Sequence, residues 1–409
     1  MGEKINELRA LLKIYLLLYA DDTVILADSA QELQNALNSL NLYCDTKRLK
    51  INIAKTKIVV FTRKRNKKYD KFNFGGEDLE IVDQYTYLGV VFSKNAKFHK
   101  ARKHLCDQAN KALFAVLQKG NRLNLPPDLQ LKLFDEAIEP ILLYGSEIWG
   151  YEDIKIIESI HLKYCKYVLK LKKSTPSMMV YGESGRFPLI IALKCRMINF
   201  WARLITDTKS KMSSTMYKIM LRLHIENKYK SDWITFIENI LNEAGMGNIW
   251  LTQTFPSTNF LKNNLRTRLQ DQFRQTWQAK ILASDNYANY RLFKTDFVAE
   301  KYLANSSSFI NICRLRTTNL KLPNNNFNRQ DPNENICKNC NKNAVGDEYH
   351  FLLTCPSLFN LRQKLLPKYY INQPNELKFK NLVNSTKKST QLLLSKYVFL
   401  GIKQYNNQN

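Results

Sequence analysis

The sequence contains no long hydrophobic run. Nothing in its 409 residues approaches the ~20 consecutive apolar positions that a membrane helix needs, so a membrane protein is not expected. The most apolar stretch near the start, residues 11–20, runs straight into Asp21 and Asp22 with no small-residue cleavage pattern. That excludes it as a secretion signal. Gly2 lacks the Ser or Thr at position 6 that myristoylation requires. Cysteine is scarce as well. Eight in 409 residues is too few for a disulfide scaffold and fits a reducing interior, nucleus or cytoplasm, in a protein that is not secreted. Five of them (Cys44, Cys106, Cys165, Cys195 and Cys313) stand alone among apolar residues and read as buried free thiols. There is no internal repeat. Carboxylates are in short supply: 36 Asp+Glu face 62 Lys+Arg, a formal charge of +26. Such an excess repels itself unless an anionic partner neutralises it, and nucleic acid is the leading class.

What is present is globular. Hydrophobic residues make up 44% and charged residues 24%, which argues against disorder, and the length suggests two to four domains. The first ninety-odd residues read as α+β. Residues 14–19 and 23–27 are strand-like around Ala20-Asp21-Asp22, which predicts a hairpin. Ser29 and Glu32 form a capping box before a helix carrying Leu33, Ala36, Leu37 and Leu40. Strand character returns over residues 51–61, and residues 84–92 form another strand-like run bent at Gly89. From about residue 97 the pattern is mostly helical. An amphipathic stretch over 100–123 stops at Pro126-Pro127. Asp128 is placed to cap a helix with Leu131, Phe134, Ile138, Ile141 and Leu142, and another spans 154–171. Residues 319–334, rich in Asn and Pro, read as a linker or long loop, and the tail is expected to end in a helix.

Two spacings carry chemistry. The pair Asp21-Asp22 lies at a tight turn between apolar strands, where rigid carboxylates suit a hard cation such as Mg²⁺. Asp is also a common turn residue, so the pair alone decides nothing. Near the other end, Cys337, Cys340, His350 and Cys355 follow a C-x2-C-x9-H-x4-C spacing. Three thiolates and an imidazole suit tetrahedral Zn²⁺, and a closed set of four is structural. His161 and Cys165 stand four apart on the expected helix but lack two further ligands. Residues 47–71 hold eleven Lys/Arg against one Asp, including the run Arg63, Lys64, Arg65, Lys67 and Lys68. Residues 161–203 are also basic, with interleaved aromatics including Tyr164, Tyr167 and Trp201 that are expected to be mainly core. Both stretches can line a nucleic-acid groove.

Tyr19-Ala20-Asp21-Asp22 with its aliphatic flanks resembles the catalytic hairpin motif of reverse transcriptases. Leu49-Lys50-Ile51-Asn52-Ile53-Ala54-Lys55-Thr56-Lys57 is similar to the next palm motif, and Tyr87-Leu88-Gly89-Val90 to the primer-grip hairpin. EPILLYGSEIWG (139–150), YGESGRFP (181–188) and GDEYHFLLTCP (346–356) resemble the C-terminal half of non-LTR (LINE-like) retrotransposon polyproteins, including their CCHC zinc module. The resemblance covers nearly the whole chain. It implies a partial palm over 1–96, a helical thumb-like region over 97–210, a helical connector over 211–325, and a zinc module with a helical tail over 326–409. It implies that Asp21 coordinates both catalytic Mg²⁺ ions beside Asp22, and that Lys55 protonates leaving pyrophosphate. Tyr87, Leu88 and Gly89 would then shape the turn at the primer end. RNA and RNA–DNA duplex are the implied partners, with no small-molecule cofactor beyond nucleotides. Only eighteen residues precede Tyr19, and they hold Glu3 and Glu7 but no Asp. The upstream strand that supplies the family's other metal-binding aspartate is therefore expected to be missing, as in a truncated copy. An RNA-directed DNA polymerase fragment without activity of its own is the expectation; an inactive RNA or RNA–DNA binding module is the alternative.

Overall fold

The computed structural model describes residues 16–62, 71–206, 211–325 and 335–406. They are mostly helical, with three small sheets, and divide into two compact units.

Turn chemistry shapes the first unit, Met1–His104 with Asp207–Ile234. Strands β1 (Leu16–Tyr19) and β2 (Asp22–Ile25) pair antiparallel with Tyr19 opposite Asp22. The loop is therefore Ala20-Asp21 alone, one residue shorter than expected, and Asp22 opens β2. Two-residue loops match the twist of paired strands, so pairing starts at once. Ala20 takes φ 54, a left-handed conformation that costs a non-glycine residue about 1–2 kcal/mol.

Helix α1 (Ala30–Lys47) starts as expected. The Ser29 hydroxyl accepts from the Glu32 N–H at 3.2 Å, and the Glu32 carboxylate accepts from the Asp28 N–H at 3.0 Å. Its apolar face rests on a sheet of order β3–β5–β4, made of β3 (Lys57–Ile58), β4 (Phe72–Phe74) and β5 (Glu77–Ile81). Leu37 and Cys44 from the helix meet Ile58, Phe72, Phe74 and Leu79 from the strands in one buried core. The Gln34 amide takes both the N–H (3.1 Å) and the carbonyl (2.9 Å) of Asn73, closing the open edge of β4.

The strand expected over residues 51–61 is confined to Lys57–Ile58. Asn52 is the reason. Its side chain accepts from the Lys55 N–H at 3.1 Å, and its carbonyl accepts from the Thr56 N–H at 3.0 Å, which winds residues 52–56 into a turn. The run 84–92 is also not one bent strand. It is a hairpin, β6 (Gln84–Tyr87) and β7 (Val90–Ser93), and the Leu88-Gly89 loop has φ 47 and 76. Two successive positive φ values define the turn type that suits hairpins, and Gly89 occupies the second position at no cost.

The second unit, Leu105–Thr206 with Thr235–Asn409, is built from helices. It contains most of α2 (His99–Arg122), then α3 (Pro127–Ala137), α4 (Glu139–Leu142), α5 (Lys155–Val168), α6 (Ser177–Ser184) and α7 (Leu189–Thr206). After them come α8 (Thr258–Ala283), α9 (Ala288–Phe293), α10 (Ile310–Arg316), α11 (Phe359–Leu365), α12 (Glu376–Val383) and α13 (Lys388–Asn406). The single helix expected after Asp128 is broken following Ala137, because Pro140 has no N–H to donate and its ring crowds the preceding turn. Asp128 does not cap that helix. Pro127 takes the first helical position and Asp128 lies within the first turn.

The core of this unit is aromatic and ionic together. Trp277 on α8 and Tyr290 on α9 pack against Met179 of α6, and the Trp277 indole N–H donates to the Met178 carbonyl at 2.8 Å. A Cβ on Gly182 would lie 2.5 Å from the Tyr290 hydroxyl and 2.7 Å from the Trp277 ring, so only glycine allows this approach. The next residue, Glu183, is fully buried. It accepts from the Arg316 guanidinium at 3.1 Å and from the Tyr302 hydroxyl. Arg316 also donates to Glu300 at 2.9 Å and to Asn384 at 2.5 Å, and Lys294 donates to Glu300 at 2.5 Å. Two buried cations thus neutralise two carboxylates, Glu183 fully buried and Glu300 half-buried. Removing one charge from such a set leaves the others uncompensated, at about 3–5 kcal/mol. Glu183→Gln is expected to lower the stability of this unit by about 3 kcal/mol. The urea midpoint reads this directly, and an unchanged midpoint would show that the set is not needed for stability.

Candidate catalytic hairpin and metal centre

Asp21 sits in the β1–β2 loop and Asp22 at the start of β2, and both are exposed. Leu16 and Leu18, on one face of the hairpin, are exposed with Tyr19. The turn thus offers two adjacent carboxylates to solvent, a donor set for a hard cation. Among the described residues, no further His, Cys, Asp or Glu joins them in a group of three or more ligands. Lys55 is exposed on the turn 52–56, and its carbonyl accepts from the Tyr85 hydroxyl at 3.2 Å. That bond ties the turn to β6, whose last residue, Tyr87, precedes the Leu88-Gly89 loop. Arg63, Lys64, Arg65, Lys67 and Lys68 lie outside the described residues.

The four residues of the C-terminal spacing do converge. A backbone ladder presents the first two: Ile336 bridges Val345, the Cys337 N–H donates to the Ala344 carbonyl at 2.9 Å, and Asn343 turns the chain with φ 47. The other two bracket a π-helical turn: His350 opens it (His350–Thr354) and Cys355 caps it. The Asp347 carboxylate accepts from the His350 N–H at 2.8 Å, and the Cys355 N–H reaches the His350 carbonyl at 2.8 Å. This wider i→i+5 turn is what a five-residue His-to-Cys separation requires.

All four ligand atoms lie within 4.8 Å of one another. The sulfurs of Cys337 and Cys355 are 4.0 Å apart, and Cys340 Sγ is 3.4 Å from His350 Nε2. A tetrahedral ion with bonds of about 2.0–2.3 Å spaces its ligands by roughly these distances, so the residues fit a soft or borderline divalent cation. A surrounding shell is in place. The Tyr405 hydroxyl donates to Cys337 Sγ at 3.0 Å, Ser357 Oγ is 3.0 Å from Cys355 Sγ, and Thr354 Oγ1 is 3.0 Å from His350 Nδ1. Arg362 donates to the carbonyls of Leu352 and Cys355, and Asn339 donates to the Tyr405 carbonyl. Burial pushes the Cys355 thiol up to about 11 and holds His350 below its ordinary value. The imidazole is therefore neutral and ready to ligate, while the Cys355 thiol needs a cation to give up its proton. Cys337, His350 and Cys355 are buried and Cys340 is partly so.

His161 and Cys165 gather no such set. The His161 ring accepts from the Arg186 guanidinium at 3.1 Å, and its other nitrogen is 2.8 Å from Glu158. Arg186 also grips Asp135, and the Tyr181 hydroxyl donates to Glu158 at 2.7 Å. Tyr181, Gly182, Glu183 and Arg186, all within YGESGRFP, are thus framework residues. Sequence reasoning did not assign them this part, because their partners lie 23 to 133 positions away in the chain. Cys44, Cys106, Cys165, Cys195 and Cys313 are buried and form no disulfide, and Trp149, Trp201, Trp250 and Trp277 are buried in the helical unit.

The hairpin falls inside a recognisable segment. Residues 1–92 match the reverse transcriptase (RNA-dependent DNA polymerase) family. A protein of Caenorhabditis elegans named as transposon-derived is 29% identical over 141 residues, 32% of this chain and 48% of its own length. A Drosophila melanogaster protein named as an RNA-directed DNA polymerase from transposon BS is 29% identical over 163 residues, 36% of this chain and 18% of its own. The chain therefore aligns with less than half the length of either relative. The similarity to reverse transcriptases is thus shown for residues 1–92, and the similarity to transposon proteins for about a third of the chain. No helix among the described residues is long and apolar enough to cross a membrane.

Metal analysis of the purified chain is expected to find one ion per molecule, and none after Cys355→Ser. Tyr405→Phe should keep the stoichiometry but weaken the metal about tenfold or more in a chelator competition. An unchanged metal content in Cys355→Ser would remove the site.

Proposed function

We propose that the chain is a fragment of the RNA-directed DNA polymerase of a non-LTR retrotransposon, and that by itself it binds RNA and RNA–DNA duplex without extending a primer. The observation that carries this reading is the two-residue loop that sets Asp21 beside Asp22 within the segment matching the polymerase family. In this reading Asp21 is the ligand shared by two Mg²⁺ ions and Asp22 its neighbour. Lys55 supplies the proton to the leaving group, and Tyr87, Leu88 and Gly89 form the turn at the primer end. The palm remnant covers 1–96, followed by a thumb-like region over 97–210, a connector over 211–325, and the metal module with its tail over 326–409.

Two-metal phosphoryl transfer clamps the attacking and leaving oxygens between ions ~3.5–4 Å apart, and a bridging carboxylate on one loop cannot hold both ions without a further ligand from elsewhere. Among the described residues no third carboxylate gathers with Asp21 and Asp22. Positioning and electrostatics supply most of the rate in this chemistry, so an incomplete ligand set removes it. The same observation favours a second reading, an RNA or RNA–DNA binding module with no chemistry.

The metal of the C-terminal centre is Zn²⁺ in this proposal, since a closed Cys3His set is typical of structural zinc. Burial of its ligands and their bonds to α13 support a staple for the C-terminal fold rather than a base-reading surface. The isolated buried thiols support an intracellular setting, nucleus or cytoplasm.

A primer-extension assay on an RNA template with Mg²⁺ or Mn²⁺ tests the reading. No product is expected from the chain alone. Extension that disappears in Asp21→Asn would show a complete site.

A further inference from the structure

The helical unit holds a basic cleft that the catalytic hairpin and the metal centre leave unused. It lies where the end of α2, the start of α3 and the end of α5 meet, and encloses about 530 Å³. That volume is in the range of sites for small organic groups. Its floor is apolar and includes Leu125 and Ile310, while Lys166, Tyr167, Lys170 and Asn121 give it a polar side. No Asp or Glu lines it.

The local sequence explains the arrangement. Helix α5 ends at Val168, and Lys170 turns the chain with φ 50. The Lys170 N–H donates to the Tyr167 carbonyl at 3.1 Å and the Leu171 N–H to the Lys166 carbonyl at 2.8 Å. This helix end brings Lys166, Tyr167 and Lys170 to one cleft. The partial negative charge of a helix C-terminus amounts to about half a unit, which two lysines outweigh. Arg122, Lys172 and Lys173, next to the cleft residues in sequence, are exposed as well. Lys166 is held by a bond from its ammonium to the Lys173 carbonyl at 2.7 Å.

Tyr167 is the informative residue. It is 53% exposed, yet its hydroxyl is fixed by the Asn121 amide at 3.2 Å. An aromatic ring tethered at its polar end, left in water and flanked by two cations, has the parts that take up one unit of a nucleic-acid strand. The ring stacks a base, and the ammonium groups draw the phosphate. We propose that this cleft binds a nucleotide of single-stranded RNA, with its base on Tyr167 and its phosphate against Lys166 and Lys170. The proposal rests on the reading of the chain as a nucleic-acid-binding protein and adds a site remote in sequence from the catalytic hairpin. An acidic peptide would use the lysines but has no use for the ring.

The test is fluorescence anisotropy of a short labelled oligouridylate titrated with the full-length chain across a salt series. Tyr167→Ala is expected to weaken binding about tenfold, and Tyr167→Phe to leave it near wild type. Lys170→Gln should reduce the slope of log affinity against log salt by about 0.7. Thermal melts of the variants check that each is folded, and Tyr167→Phe keeps the test decisive if Tyr167→Ala is not. Wild-type binding that Tyr167→Ala leaves within twofold overturns the cleft while the nucleic-acid reading stands. A wild-type chain that does not bind the oligonucleotide overturns both. Competition by free uridine monophosphate or by poly-glutamate as strong as by unlabelled oligouridylate also overturns the cleft as a site for an RNA strand.

Discussion

A carboxylate with no access to water must be neutralised, and Glu183 imposes that demand on the helical unit. Arg316 answers it from the end of α10, and the remaining donors of the guanidinium then need acceptors of their own. Glu300 and Asn384 supply them, and Asn384 stands directly after α12. One buried charge therefore fixes the relative places of α6, α10 and α12. Gly182 permits the approach by leaving room for Trp277 and Tyr290. Replacing the whole set by apolar residues need not cost stability, but removing one member does.

The two candidate metal sites differ in how completely the chain supplies them. The C-terminal cluster has four candidate ligands close together, a hydroxyl behind three of them, and α13 bound to both the ladder and the turn. Such a set can close around one divalent cation. The hairpin presents two carboxylates on a strained two-residue loop, exposed and without a third acidic partner among the described residues. Ligand count alone thus separates a site that builds structure from one that needs further groups for chemistry.

Features written in neighbouring residues were legible in the sequence. Ser29 and Glu32 announced α1, the apolar flanks of Asp21 announced the hairpin, and the C-x2-C spacing announced the metal cluster. Features that depend on a single residue were misread. Asn52 turned an expected strand into a loop, and Pro140 split an expected helix. The Gly75-Gly76 hairpin between β4 and β5 was passed over, although two glycines between apolar strands are a recognised signal. The ionic sets around Glu183 and His161 were not read, since most of their pairings span 23 to 133 residues and leave no local pattern. Within YGESGRFP, the packing shows what Tyr181, Gly182, Glu183 and Arg186 do.

The incomplete carboxylate site is tested most directly by counting Mn²⁺ ions bound to the chain in an electron paramagnetic resonance titration. Weak binding with no spin-coupled pair is expected, and Asp21→Asn should change it little. A tight, coupled pair of Mn²⁺ ions that vanishes in Asp21→Asn would contradict it, because a further ligand would then have to complete the cage.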